Sequence, residues 1–107
     1  MNITFQKTHQ RAFGTYPLQG AALQQAIHAA IGAGYRAFDT AQMYQNEADT
    51  GAALVESGIA RDDLCITTKV GIDEFTAERF LPSVEKSLKD LRVSRVEIGR
   101  ASWRERV

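Results

Sequence analysis

Apolar residues recur at helical spacing in the segment that precedes the first cluster of glycines. They fall three or four positions apart, which places them on one face of an α-helix. The residues that share this face are Leu23, Ala26, Ile27, Ala30 and Ile31. The pattern predicts a helix that ends at Gly32 or Gly34.

Two later segments have the composition of short strands. Residues 35–39 carry aromatic side chains on either side of Arg36 and Ala37, and a polar turn follows them. Residues 64–68 read Leu-Cys-Ile-Thr-Thr, a short β-branched run that closes on Lys69. A third strand-like stretch covers residues 95–98, after which neither helical nor strand periodicity continues.

A helix is predicted after each of the first two strands. One begins near Asn46 as its N-cap, runs through Ala48, Ala52 and Val55, and stops at Gly58. The other begins at Thr76 as its N-cap, with Pro82 confined to the early turns. Its apolar positions are Phe80, Val84, Leu88 and Leu91.

This alternation of strands and helices indicates an α/β chain built from right-handed βα units on a parallel sheet. Parallel strands are buried on both faces, and a complete (β/α)8 barrel needs about 250 residues. The 107 residues could supply a little under half of such a barrel, so the chain is either a fragment of one or completes its sheet by association. The predicted division is a partial-barrel domain over residues 1–98 and a non-native tail over residues 99–107.

Composition narrows the functional classes. Thirteen basic residues balance thirteen acidic ones, which argues against a general nucleic-acid binder. No apolar run approaches the roughly 18 residues of a membrane helix, so we expect a cytoplasmic protein with no membrane partner. Cys65 is the only cysteine, and no Cys/His cluster has zinc spacing, so no disulfide or metal site is expected. Cys65 itself is predicted to be a buried apolar residue rather than a redox thiol.

Residues 32–37 read Gly-Ala-Gly-Tyr-Arg-Ala and match the G-x-G-x-x-A form of a dinucleotide-binding loop. That loop must follow a strand and open a helix, so that helix amides bind pyrophosphate. Here it follows a helix and enters a strand. A Rossmann function is therefore not favoured.

A different chemistry is suggested where the two predicted strands end. Asp39 and Lys69 lie at the carboxyl ends of these strands, and Tyr44 lies in the loop after Asp39. A tyrosine ordinarily titrates at about 10, so a neighbouring ammonium is needed to make it a useful acid at neutral pH. The spacing is compatible with a proton-donating site, but also with a solvated lysine, a turn-forming aspartate and an ordinary aromatic at the rim.

Three motifs resemble those of the aldo-keto reductase family. Residues 34–41 read Gly-Tyr-Arg-Ala-Phe-Asp-Thr-Ala and are followed by Glu47 and Gly51, which is similar to the first family signature, with Tyr44 at its tyrosine. Residues 66–70, Ile-Thr-Thr-Lys-Val, resemble the strand that bears the family lysine. Residues 13–16, Phe-Gly-Thr-Tyr, resemble the family's opening turn on the cofactor side. Residues 39–69 look most like bacterial 2,5-diketo-D-gluconate reductases of the B type.

The resemblance implies that the chain is the N-terminal part of a (β/α)8 TIM barrel, with about three βα units and the start of a fourth strand. Such a barrel binds NADPH without a Rossmann domain and transfers hydride to an aldehyde or ketone, such as 2,5-diketo-gluconate or a methylglyoxal-like carbonyl. Tyr44 would protonate the carbonyl oxygen, Lys69 would assist it, and Asp39 would hold Lys69. The residues implied at the cofactor are Gly14, Thr15, Tyr16 and Asp39, and those implied at the substrate are Tyr16 and Tyr44. The full-length protein is expected to be a monomer, whereas the fragment is expected to be inactive and to self-associate.

The chain departs from the family pattern after residue 98. The family histidine is missing, and ungapped alignment places Ser102 there. Gly71 stands where relatives often carry a pocket aromatic. Residues 92–107 carry net charge +3, whereas residues 1–91 carry −3. This step favours the interpretation that the reading frame has left the gene near residue 98. The alternatives are a solvated end with no role and a nucleic-acid patch. The competing function is a small non-enzymatic α/β module that associates through its open sheet edge.

Overall fold

Four strands and three α-helices alternate along residues 11–99, the part of the chain that the computed structural model describes. In chain order they are β1 (Ala12–Gly14), α1 (Gly20–Gly32), β2 (Ala37–Asp39), α2 (Glu47–Glu56), β3 (Cys65–Lys69), α3 (Phe80–Leu91) and β4 (Glu97–Gly99), with 3-10 turns at Gln42–Tyr44, Arg61–Asp63 and Ile72–Glu74. The strands form one parallel sheet in the order β1-β2-β3-β4. The predicted three βα units and the start of a fourth strand are confirmed.

The first helix follows its sequence pattern closely. Leu23, Ile27 and Ala30 are buried, and α1 ends at Gly32, as predicted. The amide of Tyr35 then bonds back to the carbonyl of Ala30, which caps the helix. Because this amide closes α1, β2 begins only at Ala37, two residues later than predicted.

The other two helices differ from their predictions in detail. Asn46 stands at the N-cap of α2, but its side chain makes no capping bond. Val55 is 55% exposed, so the buried face of α2 is not the one that Ala48 and Val55 define. That face instead consists of Glu47, Thr50, Gly51, Ala53 and Leu54. Helix α3 begins at Phe80, four residues after the predicted N-cap Thr76, although the Thr76 hydroxyl accepts the Arg79 amide as an N-cap side chain does.

The core lies between the sheet and the three helices. Its largest fully buried apolar side chains include Leu23, Ile27, Phe38, Ile66 and Leu91. Helices α2 and α3 meet at Gly51, where a Cβ atom would lie 2.6 Å from the carbonyl oxygen of Asp90 and 2.7 Å from the Leu91 Cα. Only glycine permits this approach of a helix to backbone.

Cys65 on β3 is buried, and its thiol lies 3.5 Å from Glu97 Oε1 on β4. Burial, assisted by the negative charge of Glu97, raises the pKa of the Cys65 thiol from 9.0 to about 11. We therefore expect alkylation of the folded chain by iodoacetamide at pH 8 to be about 100-fold slower than that of a free peptide thiol. Mass spectrometry would follow the reaction. Unfolding in urea should restore the rate, and rapid labelling of the folded chain would contradict a buried thiol.

The predicted non-native tail lies outside the described residues, apart from Gly99, which ends β4. Within residues 11–99, no helix has the length and apolar character needed to cross a bilayer. The same residues contain no cluster of His, Cys, Asp and Glu side chains suited to a metal ion.

Candidate active site

The predicted site residues lie at the carboxyl edge of the parallel sheet. Asp39 is the last residue of β2, and Lys69 is the last residue of β3. In the register of these strands Asp39 stands opposite Thr67, so β3 projects Lys69 beyond the end of β2. Tyr44 ends the 3-10 turn that follows β2, and this turn folds back over the same edge.

The three side chains converge. Lys69 Nζ donates a hydrogen bond to Tyr44 Oη over 3.1 Å, and it lies 3.6 Å from Asp39 Oδ1. The Lys69 side chain is 12% exposed and the Asp39 side chain is 41% exposed, so the ammonium is largely shielded from water while the carboxylate stays partly accessible. The structure therefore brings the three predicted residues into one group, in contrast to the alternative of three separate surface residues.

This geometry supports acid catalysis by the phenol. When a tyrosine releases its proton, negative charge develops on the phenolic oxygen, and a preorganised cation stabilises that charge. Lys69 already directs an ammonium hydrogen at Tyr44 Oη, so no rearrangement is needed. Asp39 supplies the opposite charge that offsets the burial of the lysine.

Tyr16 joins this group, whereas the Thr15 side chain turns away from it. The Tyr16 ring lies 5.0 Å from the Tyr44 ring, centroid to centroid, and 68% of Tyr16 is exposed. Thr15 is completely buried, and its hydroxyl donates to Thr40 Oγ1. Tyr16 is therefore available at the mouth of the site, while Thr15 is part of its foundation.

A buried network beneath the tyrosines holds their two loops together, and the sequence did not predict it. Asn46 accepts a hydrogen bond from Thr40 Oγ1 and donates to Thr15 Oγ1 and to the carbonyl of Leu18. These bonds join the loop after β1 to the loop after β2. The Asn46 side chain is thus used to align Tyr16 with Tyr44 rather than to cap α2.

Two features leave a polar acceptor and open space for a ligand at this edge. Asp39 Oδ1 is buried, and within residues 11–99 it has no hydrogen-bond partner, so it can accept a bond from a ligand. Gly14, at the end of β1, has no atom within 4 Å of the position of a Cβ. It therefore leaves open space directly beside β2, since Gly14 and Asp39 are paired in the sheet.

The fold and the site thus define a class: part of a parallel βα barrel with a Tyr-Lys-Asp group at the carboxyl edge of its sheet. The sequence pattern of the aldo/keto reductase family matches residues 11–105. The chain belongs to this family, as its motifs suggested.

Individual relatives are reductases of small carbonyl compounds. Methylglyoxal reductase DkgB of Salmonella typhi is 41% identical over 90 residues, which cover 84% of this chain and 34% of the relative. Glyoxal reductase of Bacillus subtilis is 38% identical over 84 residues, covering 78% and 30%. The chain therefore spans about a third of the length of these relatives.

Solved structures show the same fold. A protein provisionally assigned as a 2,5-diketo-D-gluconic acid reductase B superposes with a TM-score of 0.76 at 42% identity, covering 79% of this chain and 30% of the other. An aldo-keto reductase of Bombyx mori in complex with NADP superposes with a TM-score of 0.71 at 32% identity, covering 79% and 31%. The predicted resemblance to the B-type diketo-gluconate reductases and the partial TIM-barrel fold are confirmed.

Proposed function

We propose that this chain supplies the proton-donating half of an NADPH-dependent reductase of small aldehydes and ketones. The observation that supports it best is the contact of Lys69 Nζ with Tyr44 Oη, with Asp39 behind the lysine. A hydroxyl whose conjugate base is stabilised in this way is suited to protonate a carbonyl oxygen as negative charge develops there.

The cofactor would supply the hydride. The open space at Gly14 and the buried oxygen of Asp39 favour binding of the nicotinamide at this edge, with the exposed ring of Tyr16 beside it. Thr15 would contribute through its backbone position, because its side chain is bonded within the chain. Tyr16 and Tyr44 together would form one wall of the substrate pocket.

The proposed substrates are small dicarbonyls such as methylglyoxal, with 2,5-diketo-gluconate as the larger candidate. The reductase activities for which these relatives are named support this class. We expect the 107 residues alone to show no turnover, because they correspond to about a third of the relatives' length. The cytoplasmic location and the monomeric state of the whole protein stay predictions.

A chimeric barrel tests the proposal. Residues 11–99 would replace the matching segment of Salmonella typhi DkgB, and NADPH oxidation would be followed with methylglyoxal and with 2,5-diketo-gluconate. We expect substrate-dependent turnover by the chimera and none by the 107-residue chain. A folded chimera that binds NADPH but reduces neither compound would contradict the function, and would favour the binding module instead.

A further inference from the structure

Glu47 is a buried carboxylate that the proton-donating group does not use. It is the first residue of α2 and is 7% exposed. Burial of a charged group is costly unless hydrogen bonds replace the lost water. The contacts of this carboxylate therefore indicate what holds it in place.

Both carboxylate oxygens accept hydroxyl groups from other elements. Thr68 Oγ1 on β3 donates to Oε2, and Ser87 Oγ on α3 donates to Oε1 over 2.9 Å. Thr68 directly precedes Lys69 and is completely buried. Through Thr68, Glu47 restrains the end of the strand that carries the lysine.

Gln42, the first residue of the 3-10 turn that ends at Tyr44, also contacts Ser87. Gln42 donates to Ser87 Oγ over 3.2 Å and accepts the Gly71 amide over 2.9 Å. Gln42 and Glu47 stand on either side of Tyr44 in the chain, and both contact Ser87. The loop that presents the tyrosine is thus fastened before and after it.

We propose that Glu47 is a positioning residue, whose carboxylate fastens the Tyr44 loop to Thr68 and Ser87 and so keeps Tyr44 Oη within hydrogen-bond reach of Lys69 Nζ. The catalytic meaning of this role rests on the proposed function. The mechanical part, that Glu47 fixes the loop, does not depend on it.

Kinetics of the chimeric barrel test the catalytic part. Glu47→Gln keeps the shape of the side chain but removes the charged acceptor, and we expect kcat with methylglyoxal to fall about 10- to 100-fold with KM changed less than about twofold. Thr68→Val should have a similar effect, and the double variant should be no slower than the slower single variant. Strictly additive losses would show that the two residues act separately, which contradicts the proposal.

Asp49→Asn is the matched control. It is the same carboxylate-to-amide change in the same turn of α2, but Asp49 accepts the Gly20 amide at the start of α1 rather than any group near Lys69. We expect its kcat per folded molecule to stay within about twofold of the parent. Equal losses in Glu47→Gln and Asp49→Asn would indicate general damage to the helix and would overturn the positioning role.

Amide hydrogen exchange tests the mechanical part without turnover. In Glu47→Gln, exchange at the Gly71 amide and across residues 42–47 should accelerate at least about tenfold, whereas Asp49→Asn should leave it unchanged. If the parent chimera has no turnover but its Glu47→Gln variant shows this acceleration, the proposed reductase function is refuted, whereas the role of Glu47 in holding the loop is retained. Unchanged exchange in Glu47→Gln would overturn the inference whatever the activity.

Discussion

Replacement of Tyr44 by phenylalanine should lower the kcat of the chimeric barrel about 100- to 10,000-fold, the usual range for loss of a general acid. The substitution removes the hydroxyl that Lys69 contacts, but it keeps the ring that packs 5.0 Å from Tyr16. KM should therefore change much less than kcat. NADPH oxidation with methylglyoxal at saturating cofactor would separate the two constants.

Tyr35→Phe is the control for this result. Tyr35 packs edge-on against Phe13, with ring centroids 6.1 Å apart, and it precedes β2, whereas Lys69 lies at the opposite, carboxyl end of β3. The same chemical change there should leave kcat within about twofold. If Tyr44→Phe retained full turnover, the proton would have to come from another group, and the assignment of Tyr44 would be wrong.

Among substitutions that add a single methyl group at the α2–α3 contact, Gly51→Ala should destabilise the folded protein most. The new Cβ would lie 2.6–2.7 Å from backbone atoms of Asp90 and Leu91, which cannot move aside as a side chain can. Overpacking of this kind costs about 3 kcal/mol, and the better helix propensity of alanine offsets about 1 kcal/mol. We expect the free energy of unfolding, measured by urea titration with circular dichroism, to fall by about 2 kcal/mol.

Gly32→Ala provides the comparison. Gly32 also lies in a helix, but a Cβ there would have no atom within 4 Å. Without a clash, only the propensity gain remains, and we expect about 0.5–1 kcal/mol of stabilisation. A Gly51→Ala variant as stable as the parent would show that α2 and α3 separate readily, contrary to the packing described above.

The sequence alone predicted those features that depend on one physical rule acting over a short stretch of the chain. The apolar stripe of α1 needs no distant partner, and the placement of Asp39 and Lys69 follows from parallel strands ending at one edge. Helix α2 was harder, because its buried face includes Glu47 and Thr50. Apolar periodicity cannot detect burial that hydrogen bonds make possible.

The supporting residues of the site escaped prediction for the same reason. Asn46 reaches Thr15, 31 residues earlier, and Glu47 reaches Ser87, 40 residues later. Asn46 has the residue type of an N-cap, but its side chain bonds to Thr15 and Leu18 in the loop after β1 instead of capping α2. The local sequence does not reveal these distant partners. Tyr44 was identified mainly through the family motif, since spacing alone left its role open.

The consecutive strand order β1-β2-β3-β4 also bears on how the molecule assembles. Asp39, Tyr44 and Lys69 all belong to one β2-α2-β3 unit, and the contact of Lys69 with Tyr44 spans 25 residues of the chain. Ribosomes add about 5–20 residues per second, whereas helices and short loops form within microseconds. Helix α2 can therefore begin to form while the chain is still being synthesised, and the three residues are inherited together as parts of one contiguous segment.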